Sequence, residues 1–133
     1  MENKKNKIIF IGGDHASYDE RERLQKYLTG LGYLVYDKGS YSKDPANYAE
    51  HAIKVAKGVQ ETPNSNGIVV CGSGVGVNIA ANKVKNIKSI LVYSKLTARI
   101  ANTKKYNVIA LGSRFLTYKN LEKYVNIFLG IEN

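Results

Sequence analysis

The stretch Gly67-Ile-Val-Val-Cys71-Gly-Ser-Gly-Val-Gly76 decides how this chain is read: an apolar run ends on a cysteine, opens into alternating glycines and passes into a helix-period segment. A short apolar run bounded by glycine fits a strand buried on both faces. The glycines that follow make the tight turn from strand to helix, and residues 72 to 76 present a rank of backbone N–H groups there. Anions bind and thiolates are stabilised at such a place. The spacing narrows the choice of anion. A G-x-G-x-x-G dinucleotide loop fails because Val77 holds the last glycine position, and no carboxylate follows about twenty residues later to hold a ribose. A Walker loop fails because no Gly-Lys-Ser/Thr closes the turn. What remains is a compact nest for a phosphate, or for the oxyanion that forms when a proton leaves the carbon beside a carbonyl.

Outward from this stretch, apolar runs alternate with helix-period stretches. Strands are expected at Lys7 to Gly12, Tyr33 to Tyr36, Gly67 to Cys71, Lys88 to Tyr93 and Asn107 to Leu111. Helices are expected between them. The first carries Leu24, Tyr27, Leu28 and Leu31 on one stripe and stops at Gly32. The second buries Tyr48, Ala52, Val55, Ala56 and Val59, the third runs from about Val75 to Val84 and the fourth from about Lys95 to Lys104. The last turns Leu121, Tyr124, Val125, Phe128 and Leu129 inward. Strands that alternate with helices and are apolar throughout predict a five-stranded parallel sheet in a Rossmann-like α/β/α sandwich. Residues 1–133 read as one domain, the first six expected to be flexible. In this architecture ligands gather at the C-terminal strand ends: Gly12 to His15, Asp37 to Gly39, Cys71 to Gly76, Tyr93-Ser94 and Gly112 to Arg114.

Composition limits the chemistry further. With 133 residues and 44% hydrophobic content the chain is long enough for a real core. Ile8 to Ile11 is too short for a signal peptide or a membrane span, so a cytoplasmic protein is expected. A single cysteine excludes an internal disulfide and a cysteine-based zinc cluster. Cys71 is therefore either a small core hydrophobe or a working thiol, acting as nucleophile or general base. The formal charge of +9 is uneven: no Asp or Glu occurs between Glu61 and Glu122, while nine cations lie there, from Lys83 to Lys119 and including Arg114. That segment favours anionic ligands, although a lysine-rich composition also puts cations on any solvated face. Nucleic acid fits poorly, because Tyr93, Tyr106 and Tyr118 are scattered rather than interleaved with the cations. The two histidines differ. His51 falls in the second helix as a surface or interface residue, whereas His15 stands at a strand end, near Cys71 if their strands are neighbours; Asp14-His15 also reads as a turn capping the next helix. Asp14, His15 and Cys71 are a poor ligand set, so no metal is expected.

The ordered set Gly13-Asp14-His15-Ala16, Asp37-Lys-Gly39, Tyr48-Ala49, Cys71 to Gly76, Ile79 to Val84 and Asn107 to Arg114 resembles the type B ribose-5-phosphate isomerases and the galactose-6-phosphate isomerase subunits, from about Lys7 to Leu129. The resemblance implies an aldose–ketose isomerase that works through a cis-enediolate without metal or cofactor. It implies Cys71 as the base, with Ser73 beside it in the catalytic loop. Gly72, Ser73, Gly74, Val75 and Gly76 would form the anion hole, Asp14 would bind sugar hydroxyls, and His15 and Arg114 would serve the substrate and its phosphate. It also implies a homodimer, or a dimer of dimers, with sites at the interface. Three departures fall on the substrate side. The family's His-Asn pair before the fifth strand is Thr103-Lys104, an aromatic facing the sugar is Pro45, and the arm carrying phosphate-binding arginines is expected to be absent after Leu129. Lys104 or Lys105 would supply point charge in its stead. Three outcomes stay open: a ribose-5-phosphate isomerase, a galactose-6-phosphate isomerase-like subunit that needs a partner chain, and a non-catalytic phosphosugar-binding relative.

Overall fold

The computed structural model describes residues 7–40 and 48–132. The expected flexibility of residues 1–6, the position of Pro45 and the inward turn of the Tyr48 side chain lie outside them. Strands β1 (Ile8–Gly13), β2 (Leu34–Asp37), β3 (Asn66–Cys71), β4 (Ser89–Leu91) and β5 (Val108–Gly112) alternate with helices α1 (Tyr18–Gly30), α2 (Tyr48–Glu61), α3 (Val75–Ala81), α4 (Lys95–Thr103) and α5 (Tyr118–Phe128). The strands form one parallel sheet in the order β2-β1-β3-β5-β4.

Alternation along the central strands sorts the core into two layers. Ile9, Ile11, Ile68, Val70, Ile109 and Leu111 face one way, onto Leu24 and Leu28 of α1, Ala98 and Ala101 of α4 and Leu121 and Val125 of α5. Phe10, Val69, Cys71, Val108 and Ala110 face the other way, onto Ala52, Val55 and Ala56 of α2 and Val77, Ala80 and Ala81 of α3. Strands covered on both faces need apolar residues at every position, which is why β1, β3 and β5 read as continuous runs. The small residues of the second layer let α2 and α3 lie close to the sheet. A Cβ on Gly58 would meet the Phe10 ring at 2.7 Å.

One stripe departs from the sequence reading. Leu24 and Leu28 are fully buried, but Leu31 is 40% exposed, because α1 ends at Gly30 and Leu31 is only its cap. The buried stripe instead extends backward to Arg21, which is 1% exposed. A charge there needs a full set of partners.

Candidate active site

From β1 the chain crosses to the α1 face, and from β3 it crosses to the α3 face. The loops therefore diverge between two neighbouring strands and leave a crevice at their C-terminal ends, the place where open α/β sheets bind ligands. The register pairs Gly13 with Val70, so the turn holding Asp14 stands beside the strand end holding Cys71. The approach is close enough to demand glycine: a Cβ on Gly13 would overlap the Val70 carbonyl oxygen. The Asp14 N–H donates to that same oxygen at 3.2 Å.

Cys71 ends β3 facing α2 and α3, 6% exposed. Its Sγ accepts the Gly74 N–H at 3.1 Å, a bond that a thiolate accepts more strongly than a thiol. Gly74 can aim that N–H because its φ is +82°, a left-handed conformation that side chains resist. One turn bond lies alongside, from the Val75 N–H to Ser73 Oγ at 3.2 Å. Two of the five loop donors expected to hold an anion are thus engaged locally, one of them on the thiol itself. The exit of β5 clamps the loop from the other side, with the Ser113 N–H on the Cys71 carbonyl at 2.8 Å and the Arg114 N–H on the Gly72 carbonyl at 3.0 Å. Gly112 is glycine for the same reason as Gly13, since its Cβ would stand 2.5 Å from the Ser73 carbonyl oxygen. The Arg114 side chain lies on Gly72, where an added Cβ would meet Nε at 2.9 Å. A cation is thereby laid on the anion loop by sequence-distant residues.

Asp14 caps the short 3-10 turn His15–Ser17, with Oδ1 accepting the Ser17 N–H at 3.1 Å. A carboxylate has about four acceptor positions, so the cap leaves capacity for ligand hydroxyls. His15 is half-buried, and its Nδ1 is buried with no hydrogen-bond partner among the described residues. His51 is half-buried at the start of α2, its Nδ1 3.2 Å from the Lys38 carbonyl oxygen.

Arg21 was not legible as part of this region. Its Nη1 donates to Asp37 Oδ1 at 3.0 Å, its Nη2 to the Ser40 carbonyl at 2.7 Å and its Nε to Ser17 Oγ at 3.1 Å. The signal was there in the 21-24-28 spacing, which puts an arginine on the apolar stripe.

The basic segment is not gathered at the glycine loop. Thr103 and Lys104 end α4, which runs opposite to the strands, so they stand at the far end of the sheet from Cys71. There Thr103 Oγ1 donates to the Arg99 carbonyl at 2.9 Å, and Lys88 Nζ donates to the Lys104 carbonyl at 3.1 Å and lies over the Tyr106 ring. A cavity of about 600 Å³ opens at that end between Tyr33, Asn66, Asn102, Lys105 and Phe128. The Asn102 amide donates to the Phe128 carbonyl at 2.9 Å, a bond that ties α4 to α5. The crevice between β1 and β3 is the better site because a carboxylate and an imidazole after β1, a thiol at the end of β3 and a guanidinium after β5 come to one set of strand ends. Among the described residues no group of three metal-binding side chains occurs, and no helix is long and apolar enough to cross a membrane.

Comparison with known proteins gives these residues a context. A protein of Mycoplasma pneumoniae named probable ribose-5-phosphate isomerase B is 38% identical over 126 residues, covering 93% of this chain and 83% of the relative. The galactose-6-phosphate isomerase subunit LacB of Clostridium acetobutylicum is 36% identical over 92% of this chain and 71% of its own. The crystal structure of ribose-5-phosphate isomerase B from Mycoplasma genitalium with bound ribulose-5-phosphate superposes with a TM-score of 0.88 at 35% identity, covering 96% of this chain and 85% of that one. Residues 9–133 match the ribose/galactose isomerase family along their whole length, and the chain belongs to that family.

Proposed function

We propose that this protein is a sugar-phosphate isomerase that interconverts ribose 5-phosphate and ribulose 5-phosphate with Cys71 as the base. The Cys71 thiolate takes the proton from C2 of the open-chain aldose, and the electron pair moves into a C1–C2 double bond as the C1 carbonyl becomes an enediolate oxygen. The thiol then returns the proton to C1 while the O2 proton passes to O1. No electron leaves the substrate, so the step needs no redox partner. The backbone donors of Gly72, Ser73 and Gly76 and the Ser73 hydroxyl face the developing charge, Asp14 and His15 take sugar hydroxyls, and Arg114 takes negative charge. The observation that carries this reading is the Gly74 N–H on Cys71 Sγ at the crevice between β1 and β3. The relative with bound ribulose-5-phosphate supports the choice of substrate.

The test is conversion of ribose 5-phosphate by the purified protein and by Cys71→Ala, with solvent deuterium entering the substrate carbon during turnover. Loss of about 10²- to 10⁴-fold in the variant is expected for a general base. No turnover of any pentose or hexose phosphate by the unaltered chain would refute it.

A homodimer with the site at its interface, working in the cytoplasm, belongs to the same proposal. Val75, Ile79, Tyr93, Leu96 and Phe115 are large apolar residues left between 48% and 77% exposed around the C-terminal strand ends. Exposed apolar residues gathered beside a site are what an interface covers. The far-end position of Lys104 and Lys105 favours a second reading, a galactose-6-phosphate isomerase-like subunit completed by another chain. Activity that appears only on mixing with a partner subunit would decide for it.

A further inference from the structure

Arg21 is a buried guanidinium whose donors are spent on the ends of two strands and the turn between β1 and α1. Besides Asp37, Ser40 and Ser17, its Nη2 lies 3.4 Å from the Asp14 carbonyl oxygen. Ser17 Oγ carries the connection onward, 2.9 Å from the Asp14 carbonyl and 3.2 Å from the Val70 carbonyl, the residue before Cys71. On the other flank the Ser40 N–H donates to the Gly13 carbonyl at 2.9 Å, and Asp37 Oδ1 also accepts the Gly39 N–H at 2.8 Å. The guanidinium therefore sits where the exits of β1, β2 and β3 meet, directly behind Asp14 and His15.

Stability does not account for a charge in this place. A buried ion pair is often no better than apolar side chains of the same volume, and the stripe on which Arg21 lies is otherwise leucine. A planar fork with five donors does what leucine cannot, because it fixes several acceptors in one geometry. We infer that Arg21 is a positioning residue: oriented by Asp37, it sets Asp14 and His15 against the crevice and so governs the grip on the sugar, without touching substrate itself. The inference rests on Asp14 and His15 as the sugar contacts. Cys71 itself is held by the ladder of β3 and by the Gly74 N–H on its sulfur, neither of which involves Arg21 directly.

The experiment compares Arg21→Met, Arg21→Lys and Ser17→Ala in the full chain, reading kcat and KM for ribose 5-phosphate and the pH profile of Cys71 alkylation by iodoacetamide. Calorimetric binding of ribose 5-phosphate to the same changes in a Cys71→Ala background gives affinity without turnover. Arg21→Met is expected to raise KM and Kd about ten-fold while kcat falls by less than about three-fold and the alkylation profile stays that of the unaltered protein. Arg21→Lys, which keeps charge beside Asp37 but loses the planar fork, recovers only part of the affinity. An unchanged KM and Kd overturns the inference. So does an alkylation profile that moves together with KM, since that is general loosening of the crevice. Should Arg21→Met fail to fold, Ser17→Ala decides, because it keeps the Arg21–Asp37 pair and removes the hydroxyl that joins Arg21 Nε to the Asp14 and Val70 carbonyls. A rise of about three-fold in Kd supports the inference, and none overturns it. An unaltered protein that binds ribose 5-phosphate but turns nothing over refutes the isomerase reading alone.

Discussion

Replacing Gly74 by alanine tests fold and site with one methyl group. Gly74 caps α3 with φ at +82°, and an L-residue held in the left-handed region costs about 1–2 kcal/mol. The added Cβ would also stand 2.6 Å from Leu91 Cδ1, 2.9 Å from the Leu111 carbonyl carbon and 3.0 Å from the Gly112 nitrogen. The leucine tip can rotate away. The β5 backbone cannot, because it is central in the sheet, so the glycine loop must move instead, and overpacking of this kind costs about 1–3 kcal/mol. Together these give a loss of about 2–5 kcal/mol, against a total of roughly 5–15 kcal/mol for a domain. The variant is expected to fold with a clearly lower urea midpoint at unchanged slope. Because the loop moves, the Gly74 N–H leaves the Cys71 sulfur, and kcat should drop by about 10²-fold, the order found for one lost donor at a reacting charge. Gly30→Ala is the control. Apart from its chain neighbours and its own helix backbone, nothing lies within 4 Å of its Cβ position at the end of α1, so it should be neutral or stabilise by up to about 1 kcal/mol. A Gly74→Ala midpoint equal to that of the unaltered protein would refute the strained, tightly packed turn. A lowered midpoint with full kcat would refute the role of this donor.

Gly72→Ala makes the opposite split: its Cβ meets the Arg114 side chain rather than backbone, so urea unfolding should barely change while KM rises several-fold as the guanidinium is displaced. Tyr118 reports on pH. Burial first, and then its hydrogen bond to Glu122, hold its hydroxyl above the ordinary value of 10.0. A raised folded-state value means that the stability it contributes is whole below 10.0 and is lost as the unfolded chain ionises above it. The difference in urea midpoint between the unaltered protein and Tyr118→Phe should therefore hold below 10.0 and narrow steadily as the pH rises above it, and a constant difference would contradict the assignment. Leu96→Glu places a charge on an exposed apolar residue at the start of α4, and sedimentation should show the proposed dimer dissociating with activity lost in parallel. A fully active monomer would remove the interface from the site.

The legible parts of this protein are those in which local pattern and tertiary role coincide. Ile68, Val69 and Val70 are apolar on both sides because the sheet is covered on both sides, so the run could be read as a central strand without knowing its neighbours. The Cys71 to Gly76 loop was legible for the same reason, since its glycines answer to a turn and to close approaches that any sequence must respect. Leu31 was misread and Arg21 missed because periodicity assigns a side chain to a face but says nothing of partners. An arginine on an apolar stripe becomes intelligible only when β2 lies beside β1 and brings Asp37 to it, a fact of strand order and not of spacing.

Charge shows the same limit and leads to the site's remaining requirement. Nine cations follow the glycine loop in sequence, but α3 and α4 run antiparallel to the strands and carry Lys83, Lys85, Lys104 and Lys105 to the opposite end of the sheet. Arg114 stays at the loop because it follows β5 directly at the C-terminal end. Among the described residues the Arg114 side chain is shown lying on the glycine loop. The proposed function keeps the proton-transfer groups, Cys71 and the Gly74 N–H on its sulfur, within one chain. The homodimer proposed with it seats a second chain on the exposed apolar residues around the same strand ends, where that chain would bring charged donors of its own to a phosphate.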